Sequence, residues 1–344
     1  MATVDVTVMG AGVFGLSVAY ACALRGAKVK VIDPAGVASG ASGGIVGALA
    51  PHVPEQWNAK KAFQFESLLA SEAFWTGVAE RSGKPTGYAR SGRLQPLADA
   101  AAVALAERRA TTALDHWGDH AVWQVRDAPE GWAPPSATGL VVWDNLSALI
   151  HPRQATQALA AAIVAQGGQI EREGSREGKV VWATGWQGLE EMSAAHTRQV
   201  GNGVKGQAAL LDVGAIGQPQ LYANGLHIVP HNDGTVAVGS TSERDFAAPA
   251  STDALLDDVV SRAVAAVPRL AGAAVLARWA GVRPRSRSRA PMLGAHPFRA
   301  GEFVANGGFK IGFGMAPKIG SVMADLIFDS HDAIPADFQA ATNL

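Results

Sequence analysis

The chain has one cysteine, Cys22, among 344 residues, so it can form neither an intramolecular disulfide nor a cysteine-based metal cluster. Such usage suits a reducing compartment, and Cys22 falls in an apolar helical stretch where packing is its expected role. Charge is scarce and balanced: 29 Lys plus Arg face 30 Asp plus Glu, for a formal net charge of −1. No long-range field for nucleic acid or an acidic membrane surface results, which favours small-molecule chemistry. No apolar run is long enough to span a bilayer, each being interrupted by Gly or charge. No basic cluster precedes the first apolar residues, and the first motif begins at once, so the expected location is cytoplasmic. No metal site is expected. Repeats and low-complexity linkers are missing too, while the length favours two domains, which are therefore expected to be interleaved.

What is present begins at the N-terminus. Val4, Val6 and Val8 alternate as a strand should and lead into Gly10, Gly12 and Gly15. These glycines permit a tight turn, close backbone approach to a pyrophosphate and close helix packing. Residues 16–24 read as the helix whose N-terminus faces that pyrophosphate. Val29, Val31 and Ile32 then lead into Asp33, eighteen residues after Gly15, where a carboxylate can accept hydrogen bonds from ribose hydroxyls and disfavours a 2′-phosphate. The register of strand, glycines, helix, second strand and acid marks an adenine-dinucleotide site.

Beyond Asp33 comes the small-residue loop AGVASGASGGIVGALAPH, suited to passing close to a ligand. Helices are predicted over 57–82, 100–117, 152–166 and 252–267, the third opening on Pro152 and ending at Gly167-Gly168. GRLQPLAD reads as strand and turn, and 121–143 as irregular strands. KVVWATGWQG reads as a buried strand ending in a glycine turn, and 203–245 as several strands with turns at Asn224-Gly225 and Asp233-Gly234. GEFVANGG reads as the last strand, leading through glycines into a helix beginning near Pro317.

In order and spacing, these blocks resemble the D-amino acid oxidase superfamily, most closely its glycine oxidase and sarcosine oxidase branch. The further blocks that carry the likeness are IHPRQATQALAAA, VKGQ, HIVPHNDGTVAVGSTSE, WAGVRPRSRSRAPMLG and GGFKIGFGMAPKIGSVMADLI. The resemblance implies an α/β protein, with a Rossmann-like FAD-binding domain interleaved with an α+β substrate domain on a mixed, largely antiparallel sheet. The expected division is 1–55, 145–200 and 281–344 for FAD, and 56–144 and 201–280 for substrate. FAD is expected to be non-covalent, since the late cysteine used for attachment in the sarcosine branch has no counterpart here. The implied activity is C–N oxidation of a small amino acid or secondary amine by hydride transfer to flavin N5, with hydrolysis of the imine. Oxygen is the expected acceptor, with a quinone or other carrier as the alternative, and a homo-oligomer is compatible. A flavin module of tRNA wobble-uridine modification and a non-catalytic flavin-binding protein are the competing readings.

The resemblance also places residues. Gly10, Ala11, Gly12, Val13, Phe14 and Gly15 cradle the pyrophosphate, and Asp33 with Pro34 holds the adenosine ribose. Ser39, Ser42, Gly43 and Gly44 line the diphosphate and ribityl chain, with Gly47, Ala48 and Leu49 beside the ring. Gly185 and Trp186 are expected near the adenine end. Gly308, Lys310, Ile311, Gly312, Phe313 and Gly314 reach the pyrimidine edge, where the following helix presents its positive end. Arg283, also against the flavin, matches the arginine that clamps substrate carboxylate. His227 and Lys310 stand where the branch has a tyrosine and an arginine. His227 can donate to carboxylate, accept a proton from the substrate or pack; Lys310 replaces a bidentate fork by a point charge. His52, Trp57 and His231 are expected to pack. The run Arg283, Arg285, Arg287, Arg289 is read as a solvated rim whose alternating side chains point to opposite faces.

Overall fold

The structure, a computed structural model, describes residues 3–344. Both fingerprint strands, β1 (Val6–Met9) and β2 (Val29–Ile32), sit in a six-stranded sheet of spatial order β15-β16-β9-β1-β2-β8. β8 (Gln169–Glu171), β9 (Lys179–Trp182) and β16 (Phe303–Asn306) continue it in parallel, and β15 (Met292–Ala295) closes one edge antiparallel. Every residue of β2 is buried, the pattern of a strand covered on both faces. A helical layer packs beside this sheet: α1 (Val13–Leu24), α2 (Ala59–Ser82), α4 (Pro152–Ala165) and α7 (Gly312–Asp329). Leu16, Trp75, Leu159, Ile163, Met315 and Ile319 belong to its single apolar cluster.

Local chemistry explains the helix ends. The Asn58 side chain accepts from the Lys60 and Lys61 N–H groups and starts α2, and Gly83 at φ +63° stops it. Two predicted boundaries need correction. The last helix starts at Gly312, not near Pro317, which lies inside α7. Proline there removes one i→i−4 bond, and the next N–H, that of Lys318, donates to Ser67 Oγ of α2 at 3.3 Å. The glycine turn after β9 opens directly into a helix, α5 (Gly185–Ala194).

The second sheet has eight strands in the order β14-β10-β13-β12-β11-β4-β6-β5. They are β4 (Arg93–Pro96), β5 (Trp123–Asp127), β6 (Leu140–Asp144), β10 (Gly201–Asp212), β11 (Gln220–Ala223), β12 (Leu226–Pro230), β13 (Thr235–Gly239) and β14 (Val275–Ser286). All neighbours are antiparallel except β11 and β4. The expected mixed, largely antiparallel sheet is therefore present, and β14 carries it through position 281 to Ser286. α3 (Ala100–Trp117) meets its β5 edge through Trp117 on Trp123, with ring centroids 6.1 Å apart.

Alternation splits this sheet chemically. Leu211, Leu221, Ile228 and Val238 face α6 (Ala254–Ala266) and its Leu256, Val259 and Ala263. The opposite face presents Ala208, Val229 and Ala237 to Ile45 and Leu149. That face therefore meets the loop after β2 and the short pair β3 (Ala48–Leu49) and β7 (Ala148–Leu149). No described helix is long and apolar enough to cross a membrane.

The closest helix crossing is a test of the helical layer. A Cβ at Gly320 would lie 2.6 Å from the Ser17 carbonyl oxygen of α1. Gly320→Ala is expected to cost about 1–3 kcal/mol, because backbone rather than a flexible side chain must yield. A thermal melt checks this, and an unchanged midpoint contradicts it.

Candidate active site

The β1–α1 turn is built on two backbone contacts that exclude side chains. A Cβ at Gly10, where φ is +112°, would lie 2.4 Å from the Ala183 carbonyl oxygen; one at Gly15 would lie 2.1 Å from the Gly10 oxygen. The following helix begins at Gly12 with no side-chain cap and no acid in its first turn, leaving its positive end for an anion. Val13 N–H donates to Ser42 Oγ at 2.9 Å, which draws the small-residue loop onto this turn. Asp33 lies at the end of β2, and its carboxylate accepts from the N–H groups of Ala11 at 2.8 Å and Ala35 at 3.0 Å. Pro34 and Ser39 are exposed. Between this loop, β8 and α4 lies an open recess lined by Val37, Gln157, Ala160 and Ile170.

The loop then crosses to the eight-stranded sheet. Thr156 and Arg153 of α4 donate to the Ser42 and Gly43 carbonyls at 3.1 Å each. Trp279 comes within 3.3 Å of a Cβ built on Gly44, and Val46 within 2.9 Å of one built on Gly239. His231 Nε2 bonds the Ile45 carbonyl at 2.8 Å, and Gln220 donates to Leu49 O at 3.4 Å and Ala148 O at 2.8 Å. From the other side, the start of α7 closes in. Phe14 would meet a Cβ on Gly308 at 2.8 Å, Val13 one on Gly312 at 3.6 Å, and Leu49 one on Gly314 at 4.0 Å. The N-termini of α1 and α7, neither capped by its own N-cap residue, thus converge beside the loop.

Facing them on one surface of the sheet are Arg283, His227, Tyr222, Gln220 and Arg93, placed there by register: Arg93 pairs with Gln220, Tyr222 with His227 and Val204 with Arg283. Arg283 donates to Ser240 Oγ at 2.6 Å and to the Thr241 carbonyl at 3.4 Å. Among the described residues, no carboxylate lies within ion-pair distance of it. Burial pulls its pKa down to about 10, against a smaller upward effect of Glu243, so it stays charged at neutral pH. Phe309 N–H donates to Pro284 O at 3.0 Å, which ties the turn bearing Lys310 to the strand bearing Arg283. Phe309 takes φ +40°, a strained value for a non-glycine residue at the site. Burial and then Arg283 lower the Lys310 pKa. The His227 ring packs on Tyr222 at 4.8 Å, and its Nδ1 has no partner. Burial, then Arg93, Lys310 and Arg283, push its pKa down to about 3.

The expected residues therefore gather, with some exceptions. Trp186 packs on Phe246, 6.3 Å between centroids, and against Gly203 of β10. The arginine run also needs correction: residues two apart on a strand share a face, so Arg283 and Arg285 of β14 point the same way. Only Arg287 and Arg289 lie beyond the strand, both exposed. Trp57 stacks on His116 and His231 packs at a tilt on His151, each at 4.6 Å, whereas His52 is exposed and its Nδ1 bonds Gln64. Sequence reasoning missed Arg93, Tyr222 and Gln220. Arg93 is buried and paired with Asp144 at 3.1 Å, and only strand register shows that it shares a face with His227.

The likeness to known proteins agrees with this arrangement. The family model described as FAD dependent oxidoreductase matches residues 5–326. The chain is 28% identical to the glycine oxidase of Pseudomonas putida, over 97% of each protein. It is also 28% identical to the bifunctional protein ThiO/ThiG of Synechocystis sp. over 99% of its own length, but spans only 55% of that protein. The crystal structure of glycine oxidase from Geobacillus kaustophilus shares the fold, with a TM-score of 0.85 over 98% of each chain at 23% identity. A match from the first strand into the last long helix, around a dinucleotide turn and a cationic sheet face, makes the chain a member of the DAO family of FAD dependent oxidoreductases.

Proposed function

We propose that the enzyme oxidises the C–N bond of a small amino acid or secondary amine whose carboxylate is held by Arg283. One observation carries this reading: a part-buried guanidinium on the sheet face that donates only to neutral oxygens. Desolvating an unpaired cation is costly, and a ligand carboxylate offsets that cost through charge-assisted bonds to the planar fork.

The residues fit FAD bound without a covalent link. Gly10 to Gly15 and Ser42 suit the diphosphate, Asp33 the ribose, the recess by Val37 and Ile170 the adenine, and the start of α7 the pyrimidine edge. The chemistry FAD would supply when bound is an acceptor for the substrate's α-hydrogen and its electron pair. The chain's own contribution is positioning. Arg283 fixes the carboxylate and with it the α-carbon. His227 is held neutral, which makes it a poor proton acceptor and a good hydrogen-bond partner, so the amine arrives in its neutral form. Water then hydrolyses the imine. Oxygen is the proposed acceptor, with the Lys310 cation stabilising the negative charge that develops as oxygen is reduced. The balanced overall charge and a reduced, buried Cys22 support a cytoplasmic setting.

Anaerobic bleaching of the yellow holoenzyme by a panel of glycine, sarcosine, proline, D-amino acids and larger amines tests the activity; no bleaching by any member refutes it. Arg283→Ala is expected to lower kcat/KM for carboxylate-bearing substrates about a hundredfold, on the order of 3 kcal/mol, with flavin content retained. Unchanged kinetics remove the clamp. Gly206→Ala should act similarly without removing the charge. Its Cβ would fall 2.0 Å from Arg283 Nη1, so the flexible guanidinium must swing aside and KM for carboxylates should rise.

A pH effect follows from His227. Its pKa falls from 6.5 to about 3 on folding, so the stability it supports is present above pH 6.5 and is lost as pH drops through that window. His227→Gln should make the decline in urea-unfolding free energy between pH 6.5 and 4 shallower by about one proton's worth of slope. His151, depressed to about 4, keeps a residual decline in place. Equal slopes in both proteins contradict this.

A further inference from the structure

Two segments, 204–207 and 239–243, hold buried polar groups that substrate contact does not use, and the structure joins them. Lys205 N–H donates to the Glu243 carbonyl and Glu243 N–H to the Lys205 carbonyl, both at 2.9 Å. The Glu243 carboxylate also takes the Thr241 hydroxyl, Gln207 Nε2 at 3.1 Å and the Lys205 ammonium at 3.4 Å. Lys205, only 3% exposed, has a second partner in Asp253 at 3.6 Å. Asp253 caps α6 and exchanges two bonds of 2.8 Å with the Gln207 side chain.

Alternation puts Lys205 and Gln207 on the α6 face of the sheet and Arg283 on the opposite face. What links the two faces is the backbone at 240–241. Its Ser240 hydroxyl and Thr241 carbonyl are the two acceptors of Arg283, and its Thr241 hydroxyl is held by Glu243. A direct acid on Arg283 would orient the guanidinium but also neutralise it and compete with the substrate. Neutral acceptors leave the charge available, and the acid that fixes them spends its own charge on Lys205.

We propose that Glu243 is a positioning residue for Arg283: by holding Thr241 and latching the 240–243 segment to β10, it aims the guanidinium at the substrate carboxylate. The proposal rests on Arg283 being the clamp. Without the latch, the long arginine side chain regains rotamer freedom and each carboxylate bond must pay to order it again.

The test is titration of acetate, an unreactive carboxylate, into the yellow holoenzyme, followed by flavin absorbance. Glu243→Gln should raise the acetate Kd about tenfold, with FAD retained. Arg283→Met combined with Glu243→Gln should bind acetate no more weakly than Arg283→Met alone, because an effect routed through Arg283 vanishes with it. An unchanged Kd in Glu243→Gln, or an equal added loss in the double variant, overturns the proposal. Thr241→Val keeps the Glu243–Lys205 pair and removes the hydroxyl that links Glu243 to the segment and also accepts from Gln207 N–H at 2.8 Å. It should raise the Kd about threefold even if Glu243→Gln proves unstable, and no rise overturns the route through Thr241. If Arg283→Met itself binds acetate like the wild type, the clamp reading fails instead.

Discussion

The segment 44–49 runs between the two sheets, and the placement of the dinucleotide turn against the cationic sheet face depends on its contacts. They are made to its backbone. Ile150 N–H donates to Gly47 O at 2.9 Å, and a Cβ on Gly47 would fall 2.0 Å from Ile150 O. Gln220 and His231 reach across from the eight-stranded sheet to the Leu49 and Ile45 carbonyls. Because the same loop is bonded to the first turn of α1 through Ser42, one strip of small residues sets the dinucleotide turn against the cationic sheet face. A larger residue at Gly47 would have to push this segment off Ile150, shifting the loop that sets cofactor and substrate groups against each other.

The electrostatics of the site follow from what surrounds that strip. Arg93 is balanced by Asp144, whereas Arg283 and Lys310 have no such acid among the described residues. Glu243, the acid that bears on Arg283, is committed to Lys205. The cavity therefore keeps positive charge for a carboxylate and holds His227 neutral. An acid-base catalyst would need the opposite arrangement, with a group poised near neutral pH. Positioning, with the chemistry supplied by FAD, is the division of labour that this charge pattern favours.

Much of the fold was legible because its signals are local. Gly10, Gly12, Gly15 and Asp33 announce their turn and strands, and Pro152 and Gly167-Gly168 mark the ends of a helix through conformational preferences that act within a few residues. Errors arose where distant partners decide. Pro317 normally opens a helix, but here Ser67 of α2 takes up the N–H that follows it, and the helix begins five residues earlier. The neighbours of the Trp186 ring, Phe246 and Gly203, lie far along the chain and no local pattern announces them.

The sequence by itself determined the cofactor class, the order of elements and three of the site's polar residues, since periodicity, glycine spacing and capping act over short stretches. Only the tertiary structure decided that Arg93, Tyr222, His227 and Arg283 share one face, and that Glu243 acts from behind it. Strand register sets those neighbours, between segments as far apart in the chain as Arg93 and Gln220. Burial, which no local pattern reports, then sets their charge: it leaves Arg283 a cation in want of an anion and His227 an uncharged ring.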